Sequence, residues 1–141
     1  MFFGLVSQRQ DIIEEIRRHG IPVIITTSTK ELMKELKNCA LLISNDAGPI
    51  HVANLLGKAA FSIFGPSNPK YSLPIGEKNA SIKSDIPCSP VNEKYCFTYV
   101  DQSCPSNECM KSISVDEVER RIIDFIAELG IEKKSHSQSS Y

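Results

Sequence analysis

Asn45-Asp46-Ala47-Gly48-Pro49-Ile50-His51 brings together, within seven residues, the types that hold an anion. An apolar run, Ala40-Leu41-Leu42-Ile43, precedes it, and a helix-like run from Ile50 to Leu56 follows. A strand that turns into a helix at such a point presents free backbone N–H groups and the positive end of a helix dipole, which suits a phosphate. The amides of Ala47 and Gly48 are the expected donors, and Gly48 lets a ligand come close. His51 adds a ring donor from the first helical turn. Asp46 would repel a phosphate, so its expected part is to cap the helix or to fix the loop. A plain strand-to-helix connection with an Asp cap uses the same residues, and pattern alone does not separate the two.

The flanking sequence predicts what positions this turn. Phe2–Val6 is a short strand candidate, and Ser7 with Gln10 opens a helix from about Gln8 to His19 that Gly20 ends. Ile21–Ile25 is a second strand, followed by a capping box, Ser28 with Glu31, and a helix carrying Leu32, Met33 and Leu36 on one face. Ala40–Ile43 is strand three, and Pro49 begins the next helix, where its absent N–H costs nothing. Ala59–Phe64 is strand four, and Gly65-Pro66-Ser67-Asn68-Pro69 is a turn dense in breakers. Residues 70 to 112 read as irregular, with a weak strand at Ala80–Lys83. Ser114 and Glu117 then cap a helix with Val115, Val118, Ile122, Phe125, Ile126 and Leu129 on its apolar face. Repeated strand-plus-helix units imply an α/β fold, a Rossmann-like parallel sheet flanked by helices, with ligands beyond the carboxyl ends of the strands. Residues 1–130 are expected to form the domain and 131–141, polar and Ser-rich, a flexible tail.

Composition excludes several classes. The 141 residues fit one domain, and 16 basic against 17 acidic side chains give a net charge of −1, with no basic footprint for nucleic acid. Mean hydropathy is −0.16, and no apolar run approaches the ~20 residues of a membrane span. The N-terminal residues lack the basic start and long apolar run of a signal peptide. The cytoplasm is therefore the expected compartment, and there the five cysteines would be reduced or metal-bound more often than paired.

A resemblance narrows the anion site. The run NDAGPIHVANLLGKAAFSIFGPSNP resembles the donor-site signature of the family nine glycosyltransferases, the heptosyltransferases of lipopolysaccharide synthesis. Asn45, Asp46, Gly48, Pro49, His51 and Ala53 match its first half; Phe64, Gly65, Pro66 and Pro69 match its second. Cys109-Met110 ahead of Ile113-Ser114 is also similar to many members, so the resemblance covers about residues 3 to 129. It implies the C-terminal, nucleotide-sugar-binding half of a GT-B glycosyltransferase, with Asp46, Ala47, Gly48, Pro49 and His51 against the diphosphate of a donor such as ADP-heptose. It also implies inverting transfer without a metal or other cofactor. Ala47 stands where the family carries a hydroxyl residue, a loss of about 0.5–1.5 kcal/mol of hydrogen bonding. Gln8 stands where the family carries a ribose-holding Glu. The acceptor site and catalytic base belong to an N-terminal domain that this sequence does not contain, so a partner chain with that domain, or a homo-oligomer, is expected. The alternative is a non-catalytic nucleotide-binding or interaction module derived from that fold.

Cys88, Cys96, Cys104 and Cys109 are spaced C-x7-C-x7-C-x4-C in a loop-rich segment. Four thiols suit tetrahedral zinc, but the spacing lacks a C-x2-C knuckle, and a disulfide pair or packed thiols explain it as well. Cys39 reads as a small buried residue, and His19 and His136 as solvated. Lys58 and Lys70 are expected to flank the ligand rim. No spacing supports a Ser/His/Asp or Cys/His catalytic set.

Overall fold

The computed structural model describes the backbone of residues 2–5 and all of residues 10–96 and 104–131. Ser7, Gln8 and the tail lie outside the described residues. The α/β, Rossmann-like architecture expected from the sequence is the one the chain adopts. Strands β1 (Phe2–Leu5), β2 (Val23–Thr26), β3 (Leu41–Asn45), β4 (Ala59–Phe64) and β5 (Asn79–Lys83) alternate with helices α1 (Gln10–Arg18), α2 (Thr29–Leu36) and α3 (Gly48–Leu55). Two short helices, α4 (Pro69–Ser72) and α5 (Glu108–Lys111), and the long α6 (Val115–Glu128) follow among the described residues.

Every strand pair is parallel, but the sheet comes in two pieces: β1–β2, and β3–β4–β5 with β4 in the centre. The sequence predicts consecutive parallel units but not where the ladder is interrupted, because pairing is a long-range choice that local periodicity does not encode.

Local rules set the element ends. The Ser28 hydroxyl accepts the Glu31 N–H at 3.3 Å and the Ser114 hydroxyl accepts that of Glu117 at 3.2 Å, so both caps form where expected. Gly57 and Gly130 follow α3 and α6 at φ 69° and 64°, the left-handed conformation that costs glycine nothing. Three boundaries differ from expectation. Strand β2 starts at Val23 rather than Ile21, leaving Ile21 44% exposed and Pro22 outside the ladder. Strand β3 runs on through Ser44 and Asn45, which pair with Ser62 and Ile63. The segment expected to be irregular holds two short helices, α4 and α5, while its expected strand at Ala80–Lys83 forms as β5.

Two layers pack on β3–β5. On one side Leu36, Leu42, Ile50, Ala53 and Ala60 join α2 and α3 to the sheet. On the other, Ala59, Phe61 and Ile82 meet Phe125 of α6, with the Phe61 and Phe125 rings 6.2 Å apart and tilted by 49°. Fully buried apolar side chains such as Phe61 and Ile50 each stabilise by about 1.5–3 kcal/mol. Val115, counted with the apolar face of α6 in sequence, is 82% exposed. No helix among the described residues is long and apolar enough to cross a membrane.

Candidate functional site

The backbone of β3 delivers Asp46 to the carboxyl end of the sheet, where its N–H donates to Ile63 O at 3.2 Å, next to β4. Helix α3 begins two residues later, with Ala47 as its extended N-cap residue and Pro49 in its first turn. No side chain caps this end of α3. In the first turn Pro49 has no N–H and the Ile50 N–H donates to Ala47 O at 3.1 Å, which leaves the Gly48 N–H as the first-turn donor that faces outward. A Cβ built on Gly48 would meet nothing within 4 Å, so the space in front of that residue is open. His51 is exposed on the same turn of α3. Asp46, Ala47, Gly48, Pro49 and His51 therefore stand together as a strand end and first helical turn, while Gln8 lies outside the described residues.

Asp46 does not cap α3. Its Oδ2 accepts the Ser67 hydroxyl at 2.5 Å, which ties the turn after β3 to the turn after β4. Ser67 is 5% exposed and Asp46 is half-buried, so this bond is sheltered on the serine side. Of the two parts foreseen for Asp46, the structure keeps only loop fixation.

The second turn is itself held from behind. Asn68 uses both ends of its amide: Nδ2 donates to Val91 O (3.1 Å) and Glu93 O (3.0 Å), and Oδ1 accepts Lys70 N–H (3.1 Å) as the cap of α4. Cys96 N–H donates to Pro66 O at 2.8 Å, and Ser67 forms an antiparallel bridge with Tyr95. Gly65 is buried against Met110, and a side chain there would collide with it: an added Cβ would lie 2.6 Å from Sδ and 3.0 Å from Cγ. The sequence pattern marks Gly65–Pro69 as a turn, but it carries no signal for these partners, which lie more than twenty residues downstream.

Two other expectations change. Lys58 opens β4 at the amino end of the strands, opposite the rim, and its N–H bonds to Ala53 O. Lys70 does stay near the rim, exposed on α4, with its ammonium 5.7 Å from the Tyr71 ring centre. Cys39 is half-buried against the α2–α3 core, donating to Leu36 O at 3.1 Å, and burial pushes its thiol pKa up against the opposing pull of Lys58.

Cys88, Cys96, Cys104 and Cys109 all line one cavity of about 90 Å³ beside Pro66. Cys109 is buried, and desolvation pushes its pKa up, with the nearness of Cys96, Cys104 and Cys88 acting in the same direction. Among the described residues no three His, Cys, Asp or Glu side chains are already drawn together to hold an ion.

A parallel sheet flanked by helices, with a helix starting beyond the carboxyl end of β3, defines an α/β, Rossmann-like fold. The sequence comparisons agree: glycosyltransferase family 9 (heptosyltransferase) matches residues 5–99, and the chain belongs to that family. The chain is 27% identical over 126 residues to lipooligosaccharide heptosyltransferase 2 of Campylobacter jejuni, covering 84% of this chain and 38% of that protein. It is 28% identical over 75 residues to the protein of the same name from Haemophilus influenzae, covering 53% and 22%. With lipopolysaccharide heptosyltransferase 1 of Pseudomonas aeruginosa it shares 31% over 74 residues, covering 52% and 21%. The chain thus spans about a fifth to two fifths of the length of these relatives. No solved structure gives a significant match.

Proposed function

We propose that this chain is the donor-binding part of a glycosyltransferase of lipopolysaccharide synthesis, taking a nucleotide-diphosphate sugar such as ADP-heptose. The observation that carries the reading is the open space in front of Gly48 at the uncapped start of α3. The diphosphate docks there on the N–H groups of Ala47 and Gly48, with His51 donating from the helix. Asp46 commits one oxygen to Ser67, which holds the turn in shape and keeps that oxygen from the anion. The fold of the complete enzyme is of the GT-B type, with the acceptor site and catalytic base on an N-terminal domain. That domain meets this one across the carboxyl rim of the strands. The reaction takes place on the cytoplasmic side of the membrane, where nucleotide sugars are made.

Gly48→Ala separates binding from folding. The added Cβ touches nothing, and alanine favours the helix by about 0.5–1 kcal/mol, so the fold persists. Titration of the 15N-labelled chain with ADP and an ADP-sugar should shift the amides of Ala47, Gly48 and His51, and Gly48→Ala should weaken that response. If neither ligand perturbs these amides, the donor-site reading fails. Sugar transfer that appears on adding an N-terminal-domain chain supports a two-part enzyme; binding with no transfer on that addition supports the non-catalytic module.

A further inference from the structure

The donor reading uses the turn after β3, while the turn after β4 carries a surface of its own. Helix α4 and the segment from Val91 to Lys94 are laced together there. Four consecutive carbonyls of that segment accept from the turn or from α4. Val91 O and Glu93 O take the two N–H groups of the Asn68 amide, Asn92 O takes the Tyr71 hydroxyl at 2.7 Å, and Lys94 O takes the Asn68 N–H at 2.9 Å. The segment is thereby fixed as a ledge beside α4. With its hydroxyl committed to Asn92, the Tyr71 ring is held in one orientation, and it is 50% exposed. A tyrosine anchored by its polar end offers an apolar ring to whatever lies against it.

Two ammonium groups stand at this ledge. Lys70 Nζ lies 5.7 Å from the Tyr71 ring centre, and Lys94 Nζ lies 5.2 Å from that of Tyr95. Contacts of this kind are weak when exposed, and among the described residues neither ammonium is paired with a carboxylate, so both can turn to an anion. Glu93 is the acidic member, exposed, with Oε2 accepting the Asn92 N–H at 3.3 Å. An ionised carboxylate has room for several more donors.

This set of groups selects the class of ligand. A flat ring packs on the C–H face of a pyranose, a carboxylate accepts sugar hydroxyls, and two lysines against one glutamate leave one positive charge for an anion. A nucleic acid needs a broader basic surface than a chain of net charge −1 supplies. A wholly apolar partner would bury these charges without partners. We propose that Lys70, Tyr71, Glu93 and Lys94 form a subsite for a sugar that carries a single phosphate or carboxylate. The turn that bears it is the one that Ser67 ties to Asp46, so the subsite shares the rim with the donor seat. It rests on the donor reading for the sugar's part in the transfer, but its residues are separate from Ala47, Gly48 and His51.

The test is a titration of the 15N-labelled full chain with D-glucose 6-phosphate and with D-glucuronate, against D-glucose and inorganic phosphate. Both charged sugars should shift the amides of Lys70, Tyr71, Asn92, Glu93 and Lys94, and saturation of the Tyr71 ring should pass to the sugar C–H protons. Tyr71→Ala should weaken that binding by roughly 3–10-fold, the scale of one aromatic contact. Tyr71→Phe keeps the ring and should keep most of the binding; a loss equal to that in Tyr71→Ala assigns the effect to the ledge and overturns the ring contact. Lys70→Gln together with Lys94→Gln should bring the charged sugars down to the level of glucose. An equal response to inorganic phosphate at the same amides means an adventitious ion only and overturns the subsite, as does binding indifferent to Tyr71→Ala. ADP, read at Ala47 and Gly48, reports on the donor seat separately. Response to ADP with none to the sugars overturns the subsite alone, and the reverse overturns the donor seat alone.

Discussion

Ser67→Ala tests the link between the two turns directly. The variant removes one hydroxyl from a site 5% exposed and leaves Asp46 Oδ2 without its 2.5 Å donor. A hydrogen bond to a charged group contributes about 1.5–3 kcal/mol, and a half-exposed carboxylate recovers part of that from water. The expected net loss is about 1–2 kcal/mol, equivalent to a fall in Tm of roughly 3–7 °C for a chain of this size. Denaturant unfolding of wild type, Ser67→Ala, Asp46→Ala and the double variant closes a mutant cycle. Neighbours sharing such a bond couple by about 0.5–3 kcal/mol. Ser67→Thr keeps the hydroxyl and should keep most of the stability. A coupling indistinguishable from zero, or a Ser67→Thr chain as weakened as Ser67→Ala, would refute the role assigned to this bond.

Other perturbations have equally definite signs. Ser62 Oγ is fully buried in β4 with no hydrogen-bond partner, so Ser62→Ala should raise stability by roughly 1 kcal/mol in urea unfolding. Gly65→Ala forces a Cβ to 2.6 Å from Met110 Sδ and should cost about 1–3 kcal/mol; the cost should shrink in a Met110→Ala background, because the obstacle is a side chain. Glu31 accepts the Thr27 N–H at 2.7 Å and the Thr27 hydroxyl at 2.9 Å, and these bonds, the backbone one first, hold its pKa below the usual value of 4.5. A lowered folded pKa gives stability that is complete above the unfolded value and is lost as pH falls through the folded one. Unfolding midpoints measured from neutral to acid pH should therefore show a shallower acid-side slope in Glu31→Gln than in wild type.

What was legible in the sequence was whatever local chemistry decides. The caps at Ser28 and Ser114, the glycine stops at 57 and 130 and the run Ala59–Phe64 each depend on neighbours within a few residues, and each falls where the pattern puts it. The turn from Asp46 to His51 was legible for the same reason, since a strand end and helix start are contiguous in the chain. The partner of Asp46 was not, because Ser67 arrives only when β3 and β4 align. Asn68 looks like one more turn residue, yet its amide is spent on backbone from residues 91 and 93. Lys58 was placed at the wrong end of the strands by proximity in sequence: it precedes β4, so it opens the strand at the edge away from the rim. The four cysteines were grouped by their spacing, but the cavity beside Pro66 that they share was not legible, because irregular backbone leaves no periodic trace.

The interruption between β1–β2 and β3–β4–β5 has a consequence for how the molecule opens. Cooperativity in a sheet passes through its ladder, and among the described residues none joins the two pieces. Central strand β4, paired on both sides and covered on both faces, should keep its amides from deuterium until the whole chain unfolds. The β1–α1–β2 unit has one ladder, and within it only Ile13 and Thr26 are counted as buried among the residues from 10 to 26. It should exchange earlier and as a block, so that the turn carrying Asp46 and Gly48 belongs to the last part of the molecule to come apart.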